Sequence, residues 1–461
     1  MSTPPLHVHL GALVVVLPLM LPPSASAATI DCGPGDVGCL ITAINQANAD
    51  PNHKTTIRLA GGTYALTNVN NDTSGPNGLP SIASALTIDG GANGATLTRS
   101  GASTFRILHV AVSGRLTLHK VTVSNGDRGL FAADSSGGGL FNNGGVVTIV
   151  DSSFTRNGLE SDTGALVNNA GVMTISDSTF TGNFSSLAAA VLNVRGVVDI
   201  TRTVFDSNDG LGAGGLQSVD GDVRITQSRF SRNHGHFGVG GVFVSGGTAS
   251  ISQTTFSNNA GDPEGGILVD GSGRVIVRDS TFVENAGFSG GGIFNASGTV
   301  DVTNTTFARN RGSLPLGIAV YNVGRMTLVN STFAENAGPG GVITGAPNAT
   351  TLLENTIIVH NSEDLGVRDC SGVLTSLGHN LIGAPSCLIT LQPSDLVGDA
   401  GLGPLEDDGA PGDAHFPLLS GSQAIDAADQ AACPKKDQIG QPRRPRCDIG
   451  AVEFRRGGAV D

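Results

Sequence analysis

The sequence predicts an all-β protein, a parallel β-helix of about 25-residue coils with a short capping helix near its N-terminus. Three observations carry this. A phenylalanine recurs at 154, 180, 205, 230, 256, 282, 307 and 333, and Ile358 continues the series, in steps of 26, 25, 25, 26, 26, 25, 26 and 25. Five residues before each ring position stands Ile, Val or Leu, from Ile149 to Leu353, and two before it stands Ser or Thr, from Ser152 to Thr356. Three after it stands an asparagine: 157, 183, 208, 233, 259, 285, 310, 336 and 361. Each period holds about three short runs of alternating polarity broken by Gly, Asn and Asp, and no helical spacing. Coils built this way stack roughly 4.8 Å apart, so equivalent residues form ladders. The rings become one internal stack and the asparagines a hydrogen-bonded ladder.

In chain order, residues 1–27 read as a secretory signal: the apolar run Leu10–Leu21 precedes Ala25-Ser26-Ala27, an A-x-A cleavage site. An apolar stretch of twelve residues is too short to span a bilayer comfortably. Residues 28–115 read as an N-terminal cap and irregular first coils. Within them Cys39–Ala49 has apolar residues at 40, 41, 44 and 47, the spacing of an amphipathic helix that covers the first coil. Residues 116–361 form the regular body, with an insertion at 126–138, and residues 362–461 follow it. About eleven or twelve coils are expected.

Six cysteines flank the body: Cys32 and Cys39 before it, and Cys370, Cys387, Cys433 and Cys447 after it. Six thiols allow fifteen pairings. Nearest-neighbour pairing (32–39, 370–387, 433–447) staples each irregular end separately and suits an exported protein. A net charge of −13 disfavours nucleic acid and anionic membrane surfaces as partners. A soluble monomer with no membrane span in its mature form is expected.

The Gly-Gly-Ile/Leu-x-Asn and Phe-x-x-Asn repeats resemble the right-handed parallel β-helix repeats of bacterial exported proteins. Leu40, Ala43, Ile44 and Asn45 are loosely similar to the CSLREA motif at the start of such proteins. Further motifs follow the body: Gly378-His379-Asn380-Leu381-Ile382-Gly383, Gly403-Pro404-Leu405, Pro417-Leu418-Leu419, Ala424-Ile425-Asp426, Gly440-Gln441-Pro442-Arg443 and Cys447-Asp448-Ile449-Gly450-Ala451. Together these resemble the choice-of-anchor Q domain, over roughly 377–454. The resemblance implies export. It does not supply a biochemical function.

The turn after the asparagine ladder is where residues vary and where chemistry could sit. It offers Glu160 and Asp162, then Asp209, then His234 and His236 beside Arg232, then Asp262 and Glu264. Stacking should bring Asp209, His234, His236, Asp262 and Glu264 within about 10 Å along one edge. A histidine flanked by carboxylates can act as general acid or base, two carboxylates can serve glycoside hydrolysis, and an Asp/Glu cluster can bind calcium. The same residues are also what a solvated loop of an acidic protein contains. No other cofactor motif is present. The absence of Trp, and Tyr at only 64 and 321, weighs against a glycan enzyme. Tyr321 sits at the repeat position of Phe141 and Phe294 and is expected to pack. The leading expectation is a non-enzymatic extracellular or envelope protein that binds a polysaccharide or a surface protein. The competing one is a polysaccharide lyase or glycoside hydrolase acting at this edge.

Overall fold

The computed structural model describes residues 28–128, 137–158, 164–361, 369–384 and 388–455. They form a parallel β-solenoid of about thirteen turns with one helix, Val37–Ala49. The turn from Leu216 to Gly235 shows how a coil is made. Strands Leu216–Val219, Asp222–Thr226 and Arg229–Ser231 are followed by a two-residue strand, His234–Gly235. Each pairs in parallel with its equivalents one coil before and one after. Alternation along the strands buries Leu216, Val223, Ile225 and Phe230 and leaves Asp222 and Arg224 in solvent.

The repeated residues do what their spacing requires. The rings from Phe154 to Phe333 are fully buried and stack with centroids 4.4–5.1 Å apart. In the ladder, Asn233 Nδ2 donates to Asn259 Oδ1 at 3.0 Å and to the Phe205 carbonyl at 2.9 Å. Asn233 Oδ1 in turn accepts from the Asn208 backbone and side chain at 3.1 and 2.9 Å. Both hydrogens and both lone pairs of a buried amide are therefore used, which is the condition for burying it at no net cost. The Ser/Thr column closes the bend before the ring. Ser228 Oγ donates to the Thr226 carbonyl and accepts from the Thr203 backbone, beside a left-handed residue, Gln227, at φ +51°.

At the N-terminus the helix packs over the first coil and buries Leu40, Ala43, Ile44 and Ala47. Asp36 caps it by accepting from Cys39 N at 2.9 Å. Asn48 pins its far end, donating to the Ser81 carbonyl at 2.7 Å and accepting from Ala83 N at 2.9 Å. Disulfides join Cys32 to Cys39 and Cys433 to Cys447. Cys370 is also disulfide-bonded. Its expected partner Cys387 lies outside the described residues, as do the expected signal 1–27, Glu160 and Asp162.

The C-terminal region does not simply continue the stack. Leu381–Ile382 still pairs with Ile357–Val359 as part of a coil. Leu388–Thr390 and Leu396–Val397 add a last set of parallel rungs, on Val373–Thr375 and on Leu381–Ile382, and beyond them the chain turns back and lies as a strap along the outside of the coils already formed. The residue before each ring points outward. Thr179 in that column is exposed, whereas Thr255, Thr281, Thr306 and Thr332 are buried. The strap covers them: Thr255 Oγ1 accepts from Gly412 N, Thr281 Oγ1 donates to the Ala414 carbonyl, Thr306 Oγ1 donates to Gln438 Oε1 and Thr332 Oγ1 accepts from Ala451 N. Phe416 fills the space over Ala308 and Ala334. The strap is held to itself by the buried Arg443–Glu453 pair, 2.8 Å apart.

Replacing one rung of the ladder should be costly. Asn259→Ala removes the acceptor of the Asn233 backbone and side-chain N–H groups and the donor to the Phe230 carbonyl and to Asn285 Oδ1. At 1–3 kcal/mol for each buried group left unmade, a loss on the order of 3 kcal/mol is expected in denaturant unfolding. A change below about 0.5 kcal/mol, the level of an ordinary surface substitution, would contradict the role given to the ladder.

Candidate functional site

The two-residue strands after the ladder stack into a narrow second sheet along one edge. Phe184, Asp209, His234, Ala260, Ala286 and Arg311 occupy successive rungs of one column. Two residues further on, the His236 N–H donates to the Gly210 carbonyl and the Asp262 N–H to the Gly235 carbonyl, so Asp262 sits one rung beyond His236. The backbone thus fixes where each side chain starts.

Asp209, His234 and His236 come together. Asp209 Oδ1 lies 2.7 Å from His236 Nε2 and 3.9 Å from His234 Nδ1, and the two imidazole centroids are 4.1 Å apart. The three side chains are 40–44 % exposed. Asp209 Oδ1 itself is shielded from solvent, and the 2.7 Å contact is too far out of line to count as a hydrogen bond. The contact is therefore an ion-pair geometry, not a directed N–H···O bond. Asp262 is exposed at the same edge. It shares a shallow depression of about 260 Å³ with His234, His236, Phe288 and Ser313. Arg232 turns away and pairs with Asp206 at 2.6 Å.

Glu264 does not join this group. Its side chain is fully buried and neither carboxyl oxygen has a side-chain partner. Burial pushes its pKa well above the usual carboxylate value, opposed only by the Gly265 N–H. The register gives the reason. Glu264 pairs with Val239 and Gly290 in a column that continues to Ala213 and Ala188, all of them buried. That column is the residue just before the Gly-Gly or Ala-Ala pair of each repeat. Asp262 and Glu264, two residues apart, consequently form no joint carboxylate cluster at the surface.

Two features of the edge were not among the expected site residues. Phe237, next to His236, is 79 % exposed, and Phe288, one rung beyond Asp262, is 46 % exposed. The sequence signal was the one-residue lengthening of the His234 turn: five residues separate His234 from Val239, against four from Asp209 to Ala213. The extra residue pushes Phe237 outward. Tyr321, by contrast, stacks on Phe294 at 5.1 Å.

Elsewhere, His109 is buried with Nδ1 2.8 Å from Ser81 Oγ, and burial together with Arg106 lowers its pKa to about 4. It therefore stays neutral inside the first coils. A depression of about 470 Å³ is a seam between the strap and the coils, and neither His234 nor His236 lines it. Its two arginines are engaged: Arg202 makes a two-pronged contact with Asp177 at 2.6 and 2.7 Å, and Arg229 donates to the Gly409 carbonyl. Asp407, Asp408 and Asp413 gather at the strap's tip in the manner of exposed acidic loops.

This fold and edge define a right-handed parallel β-helix. A family model described as "Right handed beta helix region" matches residues 163–312 and 214–383. No curated protein matches the chain. Among solved structures the chain is similar to the A-module of Azotobacter vinelandii mannuronan C-5 epimerase AlgE4, with 15 % identity and a TM-score of 0.42 over 80 % of this chain and 98 % of that one. It is also similar to pectate lyase Pel9A, with 17 % identity and a TM-score of 0.37 over 94 % of this chain and 97 % of that one.

The position of Glu264 makes stability depend on pH. Its folded pKa lies above the ordinary value of 4.5. Its contribution is therefore fully present below about pH 4.5 and is lost as the pH rises toward the folded value, by up to roughly 1.4 kcal/mol per pH unit. Glu264→Gln should flatten the fall of melting temperature as the pH rises above about 4.5, with the largest gain at the alkaline end. An unchanged slope would place the Glu264 carboxyl in water.

Proposed function

We propose that the protein is an exported, extracellular or envelope β-helix protein that binds an extended polysaccharide along the histidine edge without transforming it. One observation carries the reading: exposed Phe288 lines an open trough with His234, His236 and Asp262 across successive rungs, and Phe237, the residue after His236, stands exposed as well. Large rings standing in water beside polar groups mark a surface that is covered in use. A polysaccharide complements them, because its sugar rings have flat C–H faces for phenylalanine and hydroxyls for imidazole and carboxylate. The trough is smaller than the roughly 300–1,000 Å³ of sites that enclose a small molecule. It suits a polymer lying across successive rungs, roughly 4.8 Å apart. Two disulfides support export, since such bonds persist in oxidising compartments, and the leader-like stretch 1–27 supports it independently.

A catalytic version of the same site is favoured by the 2.7 Å approach of Asp209 to His236, which sets a carboxylate beside an imidazole that can serve as general acid or base.

Glycan-array binding tests the main reading. A polysaccharide should be retained, and Phe237→Ala and Phe288→Ala should each weaken binding about tenfold, the equivalent of 1.4 kcal/mol. Binding that both variants leave intact would remove this edge from the account. If the bound polysaccharide is instead converted, and His236→Ala slows conversion about a hundredfold or more, the catalytic version replaces the binding one. N-terminal sequencing of protein from the culture medium should begin at Ala28; protein retained in cells with Met1 in place would contradict export.

A further inference from the structure

The three side chains that gather at the edge have the composition of a metal site, and a different one from the calcium site that an Asp/Glu cluster would make. We propose that Asp209, His234 and His236 bind one divalent transition-metal ion of the zinc class, with a coordination position left open to solvent. Each residue offers one ligand atom, and these atoms all lie within 4.8 Å of one another. A tetrahedral zinc ion with metal–ligand bonds of roughly 2.0–2.2 Å needs ligand atoms about 3.3–3.5 Å apart. The observed separations of 2.7 and 3.9 Å from Asp209 Oδ1 bracket that value, so small side-chain rotations suffice.

The backbone underneath is held in place. Asp209 N donates to the Asn183 carbonyl at 2.9 Å, His234 N to the Asn208 carbonyl at 2.8 Å and His236 N to the Gly210 carbonyl at 2.9 Å. Asp209 and His234 are direct rung partners. The site is therefore presented by two adjacent coils of a rigid stack, not by a free loop, and pre-positioned ligands lose little entropy on binding. A second observation points the same way. Asp209 Oδ1, enclosed between the two imidazoles, accepts no hydrogen bond, and a metal ion would satisfy it. Imidazole nitrogen favours zinc, copper, nickel and cobalt, whereas calcium takes six to eight oxygens. With Glu264 turned into the core, the edge does not supply those oxygens in a cluster. Three protein ligands and an open fourth position are the pattern of metal sites that engage a water or an outside ligand.

This inference does not rest on polysaccharide binding, and its test contains no carbohydrate. The protein, freed of metal by chelation and dialysis, is titrated with ZnCl2 and separately with CaCl2 by calorimetry. One zinc ion per chain should bind, and calcium at the same concentrations should not compete. Asp209→Asn, His234→Ala and His236→Ala should each weaken zinc binding at least tenfold, with circular dichroism unchanged. His360→Ala removes another surface imidazole beside a carboxylate, Asp399 at 3.0 Å, and should leave binding as it was. Absence of a stoichiometric zinc site, equal competition by calcium, or a site lost with His360 and not with the other three would each overturn the proposal.

Discussion

The structure depends on a single constraint: each coil of the regular body must leave its buried asparagine amide aligned with the amide of the next. The ladder from Asn157 to Asn361 lies at the turn where the chain leaves one sheet for the edge, and its members are buried. A shift of one residue would strand the donors and acceptors of two coils in an apolar interior. The ring stack beside it cannot impose this alone, because apolar contact is not directional. The phenylalanines supply burial and the asparagines supply register. The ladder does not end in bulk solvent either: Asn361 Nδ2 donates to Asp369 Oδ1 at 3.1 Å.

That constraint explains what could be read from the sequence. The stack was legible because ring, asparagine, hydroxyl and aliphatic residue each recur at a fixed offset. The helix was legible from its spacing, and the structure adds only its Asp36 cap and the Asn48 anchor. The edge was legible in part. Asp209, His234 and His236 meet because their rungs adjoin, whereas Glu264 was placed by its distance from the ladder and not by the glycine pair that follows it. The Gly-Gly pair is the better landmark, since the turn before it varies by a residue and the strand after it does not. Phe237 was hidden for the same reason. The path of the strap was not legible. Its sequence has no period, and its bonds join residues as far apart as Arg229 and Gly409.

The strap and the helix solve one problem at different places. A stack of parallel strands has open ends and long outer faces, and both invite pairing with other chains. The helix blocks the first coil. The strap covers the outward threonines of the later coils and satisfies their hydroxyls. The disulfide Cys433–Cys447 lies in that strap, beside Asn330 and Asn355 of the coils. What stays uncovered is the histidine edge, where large rings, imidazoles and carboxylates face water together.

The most direct measurement of the central claim is a cross-link between rungs. Ser153 and Thr179 are in register, and their hydroxyls meet at 2.7 Å. Neighbouring rungs roughly 4.8 Å apart fall within the 4.4–6.8 Å range that a disulfide tolerates. The double variant Ser153→Cys/Thr179→Cys should therefore oxidise to a bridge seen by non-reducing peptide mapping, with the native bridges intact. Ser153→Cys/Thr181→Cys, two residues out of register and beyond about 7 Å, should not. A bridge in the second variant and none in the first would contradict the register, and with it the stacking on which the candidate site is built.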